Sequence, residues 1–166
     1  ESIALLHAVL DFRRVIDIPG YDRIPLKDST RFIATMNYGY AGTRELNEAL
    51  VSRFMVIDMP TISSENLMKL LRQEFPNMKD NYVEQFTGLF KDLQKKSENS
   101  EISTKSVDLR GLLSSIHLID RGLKASRALE MGIVNKSFDN FEREIIEDVI
   151  HLRIPENVER SEIFSN

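Results

Sequence analysis

Cysteine is absent from the 166 residues, which excludes a disulfide framework and any thiolate metal site. That absence is compatible with a reducing cytoplasm, the compartment expected here. No run of about eighteen or more apolar residues occurs, so no membrane span is expected. No basic segment leads into an apolar one, so no signal peptide is read in these residues. Basic charge is not in excess either: 22 Lys and Arg stand against 26 Asp and Glu, and a net charge of −4 gives no general reason to expect nucleic-acid binding. His7, His117 and His151 are far apart and share no ligand spacing, so a histidine metal site is not expected. No internal repeat is evident. What remains is 42% hydrophobic residues, sufficient for a core, in a length that suits one domain or a fragment plus one small domain.

The most informative stretch is Arg31 to Pro60, RFIATMNYGYAGTRELNEALVSRFMVIDMP. Phe32-Ile33-Ala34-Thr35-Met36 is a short apolar run without alternation, which reads as a buried strand of a parallel sheet. Asn37 then sits at its tip, where an amide can orient a water or a phosphate oxygen, because ligand crevices of open α/β sheets lie beyond the carboxyl ends of the strands. Two glycines in Tyr38-Gly39-Tyr40-Ala41-Gly42-Thr43 break the strand into a loop. Tyr38 and Tyr40 suit contact with a partner or an adenine, or simple packing of that loop. Thr43 can cap a helix carrying Leu46, Ala49 and Leu50, with Glu45 in its first turn. Ser52-Arg53-Phe54 ends that helix, and Met55-Val56-Ile57-Asp58-Met59-Pro60 reads as a second apolar strand stopped by proline.

These residues resemble the MoxR-like AAA+ ATPases. The resemblance makes the ATMN strand the carrier of the sensor 1 residue, Asn37, and makes Arg53 of the SRF turn the arginine finger that faces a neighbouring subunit's nucleotide. Arg44 is a second candidate for that contact in trans. Each residue alone has a plainer reading, a turn-forming asparagine or a surface arginine beside core, and the ordered combination carries the match.

The chain holds no G-x-x-x-x-G-K-[ST] loop to cradle phosphates, and no apolar strand ending in Asp-Glu to hold magnesium. In the resembled family both come before the part seen here. Residues 1–12 place Ile3, Leu6, Val9 and Leu10 on one helical face and are similar to the helix after the acidic strand, closed by Arg13 and Arg14. Residues 14–26 read as two short strands around Pro19-Gly20-Tyr21, a hairpin that MoxR-like proteins insert in this region. The chain therefore reads as the second half of an ATPase module belonging to a longer protein.

After Pro60-Thr61-Ile62-Ser63 the pattern is helical. Ser64 opens a helix with Leu67, Leu70, Leu71 and Phe75 that Pro76 stops; Tyr82 to Leu93 gives another face, and Lys95 to Glu101 reads as a solvated loop. A third helix starts at Val107 to Leu113 and runs towards Gly122, and residues 125–133 and 138–152 supply two more. The expected fold class is an α/β fragment plus an all-α part: the end of an αβα P-loop NTPase core over residues 1–62, a helical lid over 63–155, and a tail over 156–166. Arg110 lies where the family's sensor 2 arginine begins a lid helix. A guanidinium offers a planar fork of donors suited to a terminal phosphate. Its plainer reading is an intrahelical pair with Asp108, and Arg121, Arg127 and Arg153 are further lid arginines separated from it by motif position alone.

The resemblance implies an ATP-hydrolysing parent using Mg2+ at the interfaces of a homo-oligomeric ring, a hexamer, with a von Willebrand A-type protein as partner and a chaperone-like action on a protein client. Groups outside this chain would grip the phosphates and polarise the water. Asn37 would position that water, Arg110 would sense the γ-phosphate in cis, and Arg53 would neutralise developing charge in trans, an effect worth roughly a thousandfold or more in rate. The chain alone is expected neither to bind nor to hydrolyse ATP appreciably. Two alternatives stand beside this: a non-catalytic AAA+-derived interaction module, and the ATPase subunit of a DNA-restriction system.

Overall fold

The computed structural model describes residues 8–36 and 48–165, which fall into two compact units divided between Pro60 and Thr61. The first unit contains helical residues 8–10 and a two-stranded antiparallel sheet, β1 (Val15–Ile16) and β2 (Ile24–Pro25), with Val15 opposite Pro25 and Ile16 opposite Ile24. The segment read as a hairpin is thus paired, and its ladder is extended by the Leu26 amide donating to the Arg14 carbonyl at 2.8 Å. Gly20 turns the chain with φ of +88°, a conformation that a side chain would strain. A four-residue helix, α1 (Glu48–Val51), follows later in the unit.

The two runs read as buried strands are neither buried nor paired. Ile33 is 94% exposed and Met55 96% exposed, and no backbone ladder joins 32–36 or 55–59 to any other described residue. The physical reason is that a strand is held by its neighbours' hydrogen bonds, and an apolar run without a neighbour has nothing to bury itself against.

The second unit is a helical bundle of α2 (Ser64–Glu74), α3 (Asp80–Glu98), α4 (Leu109–Asp120), α5 (Ala125–Gly132), α6 (Asn140–Arg153) and α7 (Arg160–Ile163), with 3-10 turns at Thr104–Ser106 and Val134–Lys136. Each main helix brings apolar residues at helical spacing to one core: Leu67 and Leu71 from α2, Phe86 and Leu89 from α3, Leu112, Ile116 and Ile119 from α4, Leu129 from α5, and Ile146 from α6. Caps set the starts. Ser63 accepts from the Asn66 amide, Asp108 from Arg110 and Asp139 from Glu142, each satisfying an amide that a helix leaves without an internal partner. At the end of α4 the chain reverses through Gly122, whose φ is +99°.

Two boundaries differ from the sequence reading. Lys95 to Glu98, placed in a loop, continue α3, because Lys and Glu are good helix formers and Gln94 is buried just before them. Residues 156–166, set apart as a tail, bring Val158, Ile163 and Phe164 into the core, and Phe164 bridges to Met78. α7 carries a capping box in which Glu159 and Glu162 satisfy each other's backbone amides. Among the described residues no helix is long and apolar enough to cross a membrane.

Candidate functional site

Asn37, the sensor 1 candidate, and Arg44, the second trans candidate, lie outside the described residues, as do Tyr38, Tyr40 and His7. Arg53 and Arg110 are described, the first in unit one and the second in unit two.

Arg53 follows α1, in a turn closed by the Phe54 amide donating to the Val51 carbonyl at 3.0 Å. The Ser52 amide donates to the Glu48 carbonyl at 2.9 Å, and the Ser52 hydroxyl to Ala49 at 3.2 Å. The Arg53 guanidinium donates to the Ala49 carbonyl and is exposed. Its charge also reaches Asp11. Hydrogen bonding from the Arg13 side chain, foremost, holds Asp11 below its ordinary carboxylate value, with Arg53 a smaller contributor. Among the described residues the Arg53 fork has this single neutral acceptor, which leaves donors that can meet an external anion.

Arg110 stands in the first turn of α4, and its side chain is 92% exposed. The reason lies in what its neighbour Asp108 is doing. One Asp108 oxygen accepts from the Arg110 amide at 3.0 Å, and the other accepts from Lys136 Nζ at 2.5 Å. The Arg110 guanidinium is left 3.9 Å from the carboxylate, outside hydrogen-bonding distance. Partial burial pushes the Asp108 carboxyl up, but the hydrogen bonds from Lys136 and the Arg110 amide, with the two cationic charges, outweigh it and hold it below its ordinary value.

The other arginines of this unit mostly have close partners. Arg72 pairs with Asp80 at 2.9 Å, Arg127 with Glu130 at 2.6 Å, Arg153 with Asp92 at 2.8 Å and Arg160 with Asp120 at 2.8 Å, and Arg143 donates to Asn135 at 2.8 Å. Arg110 and Arg121 alone, among the described arginines of the unit, have no side-chain acceptor within hydrogen-bonding distance.

The backbone beneath Arg110 is locked by a close crossing of α4 and α5. A Cβ added at Gly111 would lie 2.3 Å from the Gly132 carbonyl oxygen, and one at Gly132 would lie 2.0 Å from the Ser115 hydroxyl. That hydroxyl sits 2.9 Å from both the Gly111 and the Ala128 carbonyls, deep in the core. Lys136 and this crossing were not found from sequence. Lys136 is 28 residues from Asp108, and no local pattern announces the pairing. The Gly111/Ser115 spacing of one helical turn was the available signal.

Other polar groups of the bundle serve packing. His117 meets Glu74 at 3.1 Å and tilts over the Phe75 ring, joining α4 to α2. Glu142 accepts from the Ser103 amide at 2.9 Å and the Ser137 hydroxyl at 2.6 Å, tying two loops to α6. A shallow recess of about 430 Å³ between α3 and α6, lined by Asp92, Lys96, Leu152 and Arg153 among others, contains neither Arg53 nor Arg110. Among the described residues no three His, Cys, Asp or Glu side chains converge as a metal site would require.

No family model matches the chain. No solved structure matches it either. It is 32% identical over 150 residues to the uncharacterized protein YojN of Bacillus subtilis (strain 168), an alignment covering 90% of this chain and 49% of the relative. Uncharacterized proteins of Staphylococcus haemolyticus (strain JCSC1435) and Staphylococcus aureus (strain NCTC 8325 / PS 47) are each 32% identical over 154 residues, with 92% of this chain and 58% of theirs covered. The chain spans about half the length of these curated relatives. Their names assign no activity.

Proposed function

We propose that this chain is part of a MoxR-like AAA+ ATPase, joining the end of the nucleotide-binding core to a helical lid. The observation that carries the reading is Arg110: a 92% exposed guanidinium with no acceptor inside hydrogen-bonding distance, on the first turn of a lid helix, above a backbone that Asp108, Lys136 and the Gly111–Gly132 crossing hold still. Such a group reads a terminal phosphate, because its fork meets phosphate oxygens and its base does not move when the ligand arrives. Arg53, with one neutral acceptor, suits the trans role. Asn37 would orient the attacking water. In this reading the remainder of the parent protein supplies the Mg2+ ligands and the groups that grip the ATP phosphates. In this reading the parent is a cytoplasmic ring hexamer that remodels a protein client, with a von Willebrand A-type partner.

The test is magnesium-dependent ATP turnover by the longer protein, beside its Arg53→Ala and Asn37→Ala variants. Each variant alone should lose activity, the arginine by roughly a thousandfold. Mixed subunits should regain part of it, since one supplies the arginine that the other's intact site lacks. Turnover indifferent to Arg53, in a protein that still assembles and binds ATP, overturns the catalytic reading. Saturable micromolar binding of ATP to residues 1–166 alone would contradict the assignment of the phosphate grip to the remainder.

A further inference from the structure

We infer that Lys91 is a strap that ties the incoming chain to α3, so that the joint between the two units ends at Thr61 and the bundle begins as one rigid body at Ile62. The contrast on either side of that point carries the inference. Residues 55–61 are exposed and make no backbone hydrogen bond to any other described residue, so no described neighbour holds their torsions. At Ile62 several ties begin together. Its carbonyl accepts from Lys91 Nζ at 2.6 Å, although the two residues stand 29 apart in sequence. Its side chain packs against the hydrophobic core, and it precedes the Ser63 cap, where an apolar residue steadies the start of a helix. Ser63 then fixes the first turn of α2, accepting from the Asn66 amide at 3.2 Å on its hydroxyl and from the Leu67 amide at 2.9 Å on its carbonyl.

The Lys91 ammonium is the tie that reaches outside α2. The Ile62 carbonyl lies before the helix, where no described backbone amide donates to it, and a partly buried carbonyl needs a donor. The second acceptor of Lys91 is the Gln94 side-chain oxygen at 2.8 Å, one turn along the same face of α3. Gln94 is itself buried, so the ammonium is aimed from a fixed base. Both acceptors are neutral, and a hydrogen bond from a charged donor is stronger than one between neutral groups. Next to the strap, α3 is joined to α6 through Asp92 and Arg153 at 2.8 Å. A pull on the incoming chain therefore reaches α3 and α6 directly, and the first turn of α2 is spared. On the proposed ATPase reading Arg110 then moves with the whole bundle; the strap itself does not rest on that reading, and its test involves no nucleotide.

Backbone 15N relaxation on residues 1–166 tests it. In the wild type the order parameter should step from below about 0.6 at Thr61 to about 0.85, the rigid-backbone value, at Ile62 and Ser63. Lys91→Met keeps a long stem without the ammonium and should move that step into α2: Ile62 and Ser63 fall below about 0.6, while α3 to α6 keep their values. Gln94→Leu leaves Lys91 in place without its second acceptor and should give an intermediate fall at Ile62. A wild type in which Ile62 is as loose as Thr61 overturns the proposal. So does a Lys91→Met variant in which Ile62 stays rigid, or in which α3 to α6 loosen together with it, since Lys91 would then support the bundle at large. Should Lys91→Met fail to fold, the wild-type step and Gln94→Leu decide, and an unchanged Ile62 in Gln94→Leu counts against the strap.

Discussion

Replacing Gly111 by alanine tests how α4 and α5 meet. The added methyl carbon would stand 2.3 Å from the Gly132 carbonyl oxygen and 2.3 Å from Lys136 Nζ, where ordinary contact begins near 3.4 Å. The helices must separate by about 1 Å, or the methyl must displace Lys136 from Asp108. Backbone cannot rotate away as a side-chain end can, so overpacking should cost about 1–3 kcal/mol. Alanine's better helix propensity returns about 1 kcal/mol, leaving a net loss of up to about 2 kcal/mol. For a unit of this size that lowers the melting temperature by up to about 10 °C. Gly88→Ala is the matched control. Its methyl meets only the guanidinium end of Arg153, at 2.9 Å, which can shift, so it should be neutral or gain slightly from propensity. Thermal and urea unfolding followed by circular dichroism read both. A Gly111→Ala variant as stable as wild type, or a Gly88→Ala variant that loses as much, refutes the close crossing.

The Asp108 carboxyl titrates below its ordinary value near 3.8, so its contribution is present at neutral pH and lost as pH falls through the depressed folded-state value. Asp108→Asn should be less stable at neutral pH and show a shallower loss in acid, measured as melting temperature against pH; parallel curves would remove the assignment. Asp139 caps α6 through the Glu142 amide at 2.9 Å, and Asp139→Ala should cost about 0.5–2 kcal/mol by urea unfolding. Arg110→Ala should leave the unfolding free energy within about 0.5 kcal/mol of wild type, as befits a side chain with no close partner, yet weaken ATP turnover in the longer protein. A large loss of stability would give Arg110 a structural role instead.

The helical bundle was largely legible because its signals are local. Leu67, Leu71 and Phe75 repeat at helical spacing, Pro76 stops that helix, and Gly122 marks the reversal after α4. What was not legible depends on distant partners. Val158, Ile163 and Phe164 are too few and too close to the chain end to announce a core element, and they are buried because helices far away in sequence leave a gap that they fill. The runs 32–36 and 55–59 carry a strand pattern, and a pattern fixes what a segment can pair with, not whether the partner is there. Of the candidate site, Arg110's position at a helix start was readable, whereas its freedom was not. An Asp two residues before it suggested a pair, and the fold keeps that pair at 3.9 Å while Lys136 meets the same carboxylate at 2.5 Å.

The surroundings of Arg110 bear on how little its side chain contributes to the fold. Asp108 lies 3.9 Å from the Arg110 guanidinium, while its oxygens already accept from the Arg110 amide at 3.0 Å and from Lys136 Nζ at 2.5 Å, so that longer pair is the weakest of the three. Exposed pairs are worth little in any case, so the fold gains almost nothing from where the guanidinium points. The first turn, by contrast, is held by a cap, an ion pair and a glycine crossing too tight for a methyl group. A rigid base carrying a fork with no acceptor inside hydrogen-bonding distance is what the proposed phosphate contact requires, since a ligand would supply that acceptor.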